Sequence, residues 1–216
     1  SAAPLDLDNV SAQANWMIHV DFEGLLKTDV GQFVLAEIKK DPNAQRQLAG
    51  IKAAFGVDIE GLGNLTAFGR GDNERGIAIV SGGFNAKQLE GFVALNEKIV
   101  SSTYAGKTIY AENRKAFVII DEDTIVAGTG KDYVKHGIDV IAGKQPSRDA
   151  SELLNELAKA IPYPVAQGIA DLSGIMKFNP PKKAPEAAML KKASAIGLAI
   201  GEVDGEVRVA AVMKAA

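Results

Sequence analysis

The feature that most constrains this chain is a partial internal repeat. Val20-Asp21-Phe22-Glu23-Gly24-Leu25-Leu26-Lys27 is echoed by Ala170-Asp171-Leu172-Ser173-Gly174-Ile175-Met176-Lys177, and Ala67 to Val80 aligns without gaps on Ala199 to Val212. In the second match Gly69, Asp72, Glu74, Ala78 and Val80 recur as Gly201, Asp204, Glu206, Ala210 and Val212, and Val209 answers Ile77. Segments repeated in the same order imply a unit used twice. The ungapped hairpin match further predicts that Ile77 and Ile79 in one copy, and Val207 and Val209 in the other, face the core. The first copy runs on well past Phe84 while the second stops close to the equivalent point, so the second is expected to be a half copy or a shortened one.

Periodicity supplies the elements of each copy. Ile18, Val20 and Phe22 alternate with His19 and Asp21, a half-buried strand. Asp29 with Gln32 reads as a capping box, and Asp41-Pro42 as a cap followed by proline at the first helical position. Together they give helices near 30–40 and 42–55 whose Leu48, Ile51 and Phe55 are expected to pack on the sheet. Strands are expected at Leu65 to Gly69 and Gly76 to Ser81. A helix capped by Asn85 follows, then a meander at Thr108 to Ala111, Ala116 to Ile120 and Thr124 to Ala127, and a helix from Lys131 to Ala142 opened by Thr129.

Gly143 to Arg148 is polar, carries Gly and Pro, and reads as the joint between a first unit, 1–149, and a second, shorter one, 150–216. In the second unit a helix opened by Asp149 precedes a strand near Val165 to Ala170. A Pro-rich stretch and a short helix, 186–192, come next, and a hairpin turns about Asp204-Gly205. Hairpin connections imply antiparallel pairing. The fold class is therefore α+β, a mostly antiparallel sheet with helices on one face, built from a duplicated strand-helix-strand-strand unit.

Composition narrows function mainly by exclusion. With 24 basic and 27 acidic residues spread along the chain and a net charge of −3, no basic stripe exists to track a phosphate backbone, so nucleic acid is not an expected partner. No apolar run is long enough to span a bilayer as a helix. The absence of cysteine removes disulfides, thiolate metal sites and cysteine nucleophiles together. The start Ser1-Ala2-Ala3-Pro4 fits a product trimmed after export, which points to the periplasm or the extracellular space and leaves the cytoplasm open.

One constellation invites a chemical reading. His19, Asp21 and Glu23 stand at alternate positions, which on a continuous strand would place them on one face as candidate metal ligands. The repeat weighs against that role, because the matching positions hold Ile169, Asp171 and Ser173 and keep only the aspartate and the glycine three residues on. That pair suits a turn in which the carboxylate accepts backbone N–H bonds. His136, the other histidine, reads as a satisfied or surface residue. Gly128-Thr129-Gly130-Lys131 follows a strand and opens a helix, yet it lacks the first glycine and the hydroxyl residue of a phosphate loop. Arg70-Gly71-Asp72 is read as hairpin-tip chemistry. No cofactor is expected.

Ala14-Asn15-Trp16-Met17-Ile18-His19-Val20-Asp21 with Gly24-Leu25, and the passage Val126-Ala127-Gly128-Thr129 into Lys131 to Ala142, resemble uncharacterised families of exported bacterial proteins. The resemblance covers about the first 145 residues. It implies export and carries no catalytic residue. The functional expectation is a non-enzymatic cell-envelope or secreted scaffold binding a protein or small ligand. The alternative is a metal-assisted hydrolase or other enzyme using His19, Asp21 and Glu23. A C-terminal strand carrying Val207, Val209 and Val212 with little to cover it is an expected surface for a homo-oligomer.

Overall fold

A computed structural model describes residues 4–71, 75–149, 151–172 and 193–216. The described strands form a ten-stranded sheet in which every neighbouring pair is antiparallel. In chain order they are β1 (Trp16–Asp21), β2 (Leu62–Gly69), β3 (Gly76–Gly82), β4 (Val100–Tyr104), β5 (Lys107–Glu112), β6 (Lys115–Ile119), β7 (Thr124–Gly128), β8 (Ala166–Asp171), β9 (Ala193–Val203) and β10 (Glu206–Ala215). Their spatial order is β10-β9-β8-β1-β2-β3-β7-β6-β5-β4. The fold is α+β.

Three helices follow β1: α1 (Phe22–Lys27), α2 (Asp29–Lys40) and α3 (Pro42–Phe55). The other α-helices among the described residues are α4 (Ala86–Leu95), α5 (Lys131–Ile141) and α6 (Glu152–Ala160). Met17, Phe68, Ile77, Ile109, Val118 and Val126 point to one side of the sheet and are buried with Val134 and Ile138 of α5 and Leu153 and Leu157 of α6. Among the described residues the opposite side is open, with Ile18, Leu198 and Val209 exposed. Helix α3 departs from expectation. It packs on α2 and α4, and Ile51 stays 39% exposed, so this helix leans on its neighbouring helices and Ile51 is not part of a sheet-facing stripe.

The six strands β10-β9-β8-β1-β2-β3 read the same from either end, with β8 beside β1 at the centre. Ile18 lies directly opposite Gly168, its own counterpart in the sequence match, which is the register a local two-fold through this pair requires. The hairpins do not obey the ungapped match. Ile77 is 3% exposed, whereas Val209 is 67% exposed and points away from the core. Accordingly β1 pairs Ile18 with Ala67, but β8 pairs Gly168 with Leu198 rather than Ala199. The cause is the space that α6 and the residues just after it take. A Cβ at Gly201 would lie 2.6 Å from Ile161 Cγ2, and one at Gly197 would lie 3.0 Å from Leu157 Cδ1, so the side of β9 that carries its small residues must face the helix.

The expected joint is also not a loose linker. Ser147 bridges Ser11, Pro146 O accepts from Ala12 N, and Arg148 N donates to Val10 O, so the stretch is stitched to the segment ahead of β1. Both units share one sheet. The short helix expected at 186–192 lies outside the described residues.

Candidate functional site

The three residues singled out for metal chemistry are placed apart in role. His19 is buried on the inner face of β1, its Nδ1 2.9 Å from Thr66 Oγ1 on the paired strand. Asp21 is also buried, and it ends the strand by capping α1, with Oδ1 accepting from Gly24 N at 2.8 Å. Gly24 is required there, since a Cβ would fall 2.2 Å from Asp21 Oδ2. Glu23 therefore sits on a helix and not on the strand. Its exposed carboxylate meets Lys27 Nζ at 2.5 Å, and that bond holds Glu23 below the usual carboxylate range while raising Lys27. The alternation that suggested one face stops at Asp21. Among the described residues no three potential ligands gather into a metal site.

A cleft of about 350 Å³ opens instead where the segment before β1 passes between the outer end of β2–β3 and the first turns of α5. Phe68, Ile77 and Ala14, all buried, line it together with Tyr133. Its polar lining comes from Ser11, Gln13, Arg70, Asp132 and His136. The segment is held in place from several directions. Arg148 Nη1 donates to Ala14 O, and half-burial pulls this guanidinium below its ordinary pKa while Asp171 opposes the shift. Arg70 Nη1 donates to Gln13 Oε1 at 3.0 Å, and Gly71 N to Asn15 Oδ1 at 3.0 Å.

His136 is satisfied from within the cleft, its Nε2 3.0 Å from Ser11 Oγ, which also accepts from Gln13 N. The glycine after it has a packing reason. At Gly137 a Cβ would stand 2.6 Å from Val126 Cγ1 and 3.1 Å from Ile77 Cγ2, so its absence lets α5 settle onto the sheet and bring Tyr133 and His136 to the cleft. The N-cap of α5 is Gly130, with φ of 120° and no side-chain cap bond, rather than Thr129. Thr129 Oγ1 instead accepts from Gly76 N at 3.3 Å.

Chemically, an apolar lining with a guanidinium, a carboxylate, an imidazole and an amide around it suits a small molecule with an apolar body and a polar end. Sequence reasoning named His136 and Arg70 without joining them to Ser11 or Gln13, because the lining comes from separated segments of chain. Asp72 of the expected Arg70-Gly71-Asp72 hairpin tip lies outside the described residues.

No family model matches the chain, and no curated protein matches its sequence. Solved structures match its fold. The fold resembles that of TP0453. Its crystal form III superposes with a TM-score of 0.58 at 9% identity, covering 98% of this chain and 80% of that one. Crystal form IV gives 0.57 at 10% identity, covering 99% and 81%. At such identity the likeness concerns architecture alone.

Proposed function

We propose that this protein is a non-enzymatic binding protein of the cell envelope or extracellular space, holding a small organic molecule in the cleft between the Ser11 to Ala14 segment, the end of β2–β3 and α5. The observation that carries the reading is the cleft itself. Its volume is within the usual range for small-molecule sites, and apolar side chains and convergent polar groups share its lining. Two further facts support binding over metal-assisted hydrolysis. His19 is engaged by Thr66, and Asp21 by the start of α1, so each has a structural task.

The test is a titration with 1-naphthoate, an apolar body with one carboxylate, followed by backbone amide shifts in NMR spectra. Shifts centred on Ser11, Gly69, Arg70 and Tyr133, weakened several-fold by Arg70→Ala, support the reading. Shifts centred on the open face of β9 and β10, or none at millimolar probe, overturn it. Fractionation of the native host tests the compartment, and a strictly cytosolic protein would remove the envelope assignment.

A further inference from the structure

Strand β10 is paired with β9 on one side and, among the described residues, forms an end of the sheet. Asp204 and Gly205, both at positive φ, make a two-residue turn closed by Val203 opposite Glu206. In such a hairpin the closing pair is hydrogen-bonded, so the N–H and C=O groups of 206, 208, 210, 212 and 214 point to β9. The regular alternation ends at a register shift between Lys214 and Ala215, where Ser194 Oγ on β9 reaches both Lys214 O and Ala215 O. The groups of Val207, Val209, Ala211 and Met213 therefore point outward, and the side chains of Val207, Val209 and Met213 are themselves exposed on the open face. A long edge of this kind is a template for another strand.

We propose that the occupant of this edge is a second copy of the chain, with β10 pairing antiparallel to β10 about a two-fold axis at Ala210. Side-chain direction limits the choice of register. A two-fold axis perpendicular to the sheet puts residues from the same side of the strand opposite one another. In the register centred on Ala210, Glu206 of each copy faces Lys214 of the other, Val207 faces Met213, and Val209 faces Ala211. Both ends then carry opposite charges across the pair, and the exposed apolar side chains meet. Centring on Ala211 instead sets Arg208 against Lys214 at both ends. Centring on Val209 leaves Glu206 opposite Val212 without a charged partner, whereas in the Ala210 register the charge that meets Val212 is Arg208, which already has Asp204. Glu206 and Lys214 stand outside the outward-bonding set, so they form the closer, non-hydrogen-bonded type of pair, in which side chains approach best. In the single chain Lys214 Nζ lies 3.6 Å from Glu152, an exposed pairing that Glu206 of a second copy can replace or join. Arg208 remains with Asp204 at 3.6 Å.

The opposite edge does not offer the same fit. Strand β4 is shorter, and its Ser101, Ser102 and Thr103 supply no charge to meet Glu206 or Lys214. Self-pairing of β10 also closes on itself as a dimer, whereas β10 on β4 would propagate.

Sedimentation velocity of the chain over a concentration series tests the proposal, with thermal melts confirming that each variant folds. The wild type is expected to dimerise reversibly. Glu206→Lys should weaken the dimer at least tenfold, and Glu206→Lys combined with Lys214→Glu should restore it. Val209→Pro removes an outward N–H that β9 does not use, so it should abolish the dimer in a protein that still melts cooperatively. A wild type that stays monomeric at several hundred micromolar overturns the proposal. So does a dimer indifferent to Val209→Pro. A double variant that remains monomeric while folded overturns the register.

Discussion

Thr66 Oγ1 stands 2.9 Å from His19 Nδ1 across the β1–β2 pair, both residues being buried on the face that α5 and α6 cover. A buried polar atom deprived of its partner costs about 1–3 kcal/mol. Thr66→Val should lower stability by that amount in urea denaturation, and Thr66→Ser should recover most of it. Added zinc should leave the wild-type midpoint unchanged. A zinc-dependent rise that disappears in His19→Ala would instead reveal a metal site on β1.

Asp21 and Gly24 act as one device at the strand-to-helix turn. Asp21→Ala should cost about 1 kcal/mol, the usual value of an N-cap. Gly24→Ala should also destabilise, since its new Cβ meets the capping carboxylate. Thermal melts of the two single variants and the double variant check the coupling, and a fully additive double variant would contradict it.

Gly137→Ala sets two effects against each other. Alanine favours a helix over glycine by about 1 kcal/mol, whereas forcing a Cβ against Val126 and Ile77 costs about 1–3 kcal/mol. The contact is with branched side chains in a packed core, so packing should win and the midpoint of urea denaturation should fall. A stabilised variant would mean that α5 can lift from the sheet without loss.

Tyr104 donates to Asp139 Oδ2 at 2.8 Å, and that bond raises the phenol's pKa above its ordinary value, with desolvation adding to the effect. A raised pKa in the folded state means that the associated stability is fully present below the unfolded tyrosine pKa. It is lost as pH climbs through the folded one. Spectrophotometric titration should show a late-ionising phenol that Tyr104→Phe removes. Tyr110, raised first by burial and then by Glu90, should remain as a second late component.

Legibility in the sequence followed how local the cause was. Asn85 caps α4 through Gln88 N as its spacing predicts, and Asp41 with Pro42 opens α3. Asp204-Gly205 turns the last hairpin. Each is a short-range rule acting through neighbouring backbone. Thr28, rather than Asp29 with Gln32, caps α2, because the brief α1 just before it leaves Thr28 as the junction residue between two helices. Strand β4 was missed because Val100-Ser101-Ser102-Thr103-Tyr104 lies at an edge and lacks apolar alternation. The inverted facing of β9 was not readable either, since it depends on how closely α6 approaches Gly197 and Gly201. The cleft needs Ser11, Arg70 and His136 to meet, and no local pattern links them.

The pairing of Met17 with Ile169 also has a temporal side. Made from its N-terminus, the chain completes β1 and β2 long before β8 exists, so the free side of β1 must wait through the synthesis of α5 and α6. The line that joins the two halves of the six-strand array is therefore the one left open longest on the ribosome. A nascent-chain arrest series should find protease resistance appearing in β1 only once residues through Asp171 have cleared the exit tunnel.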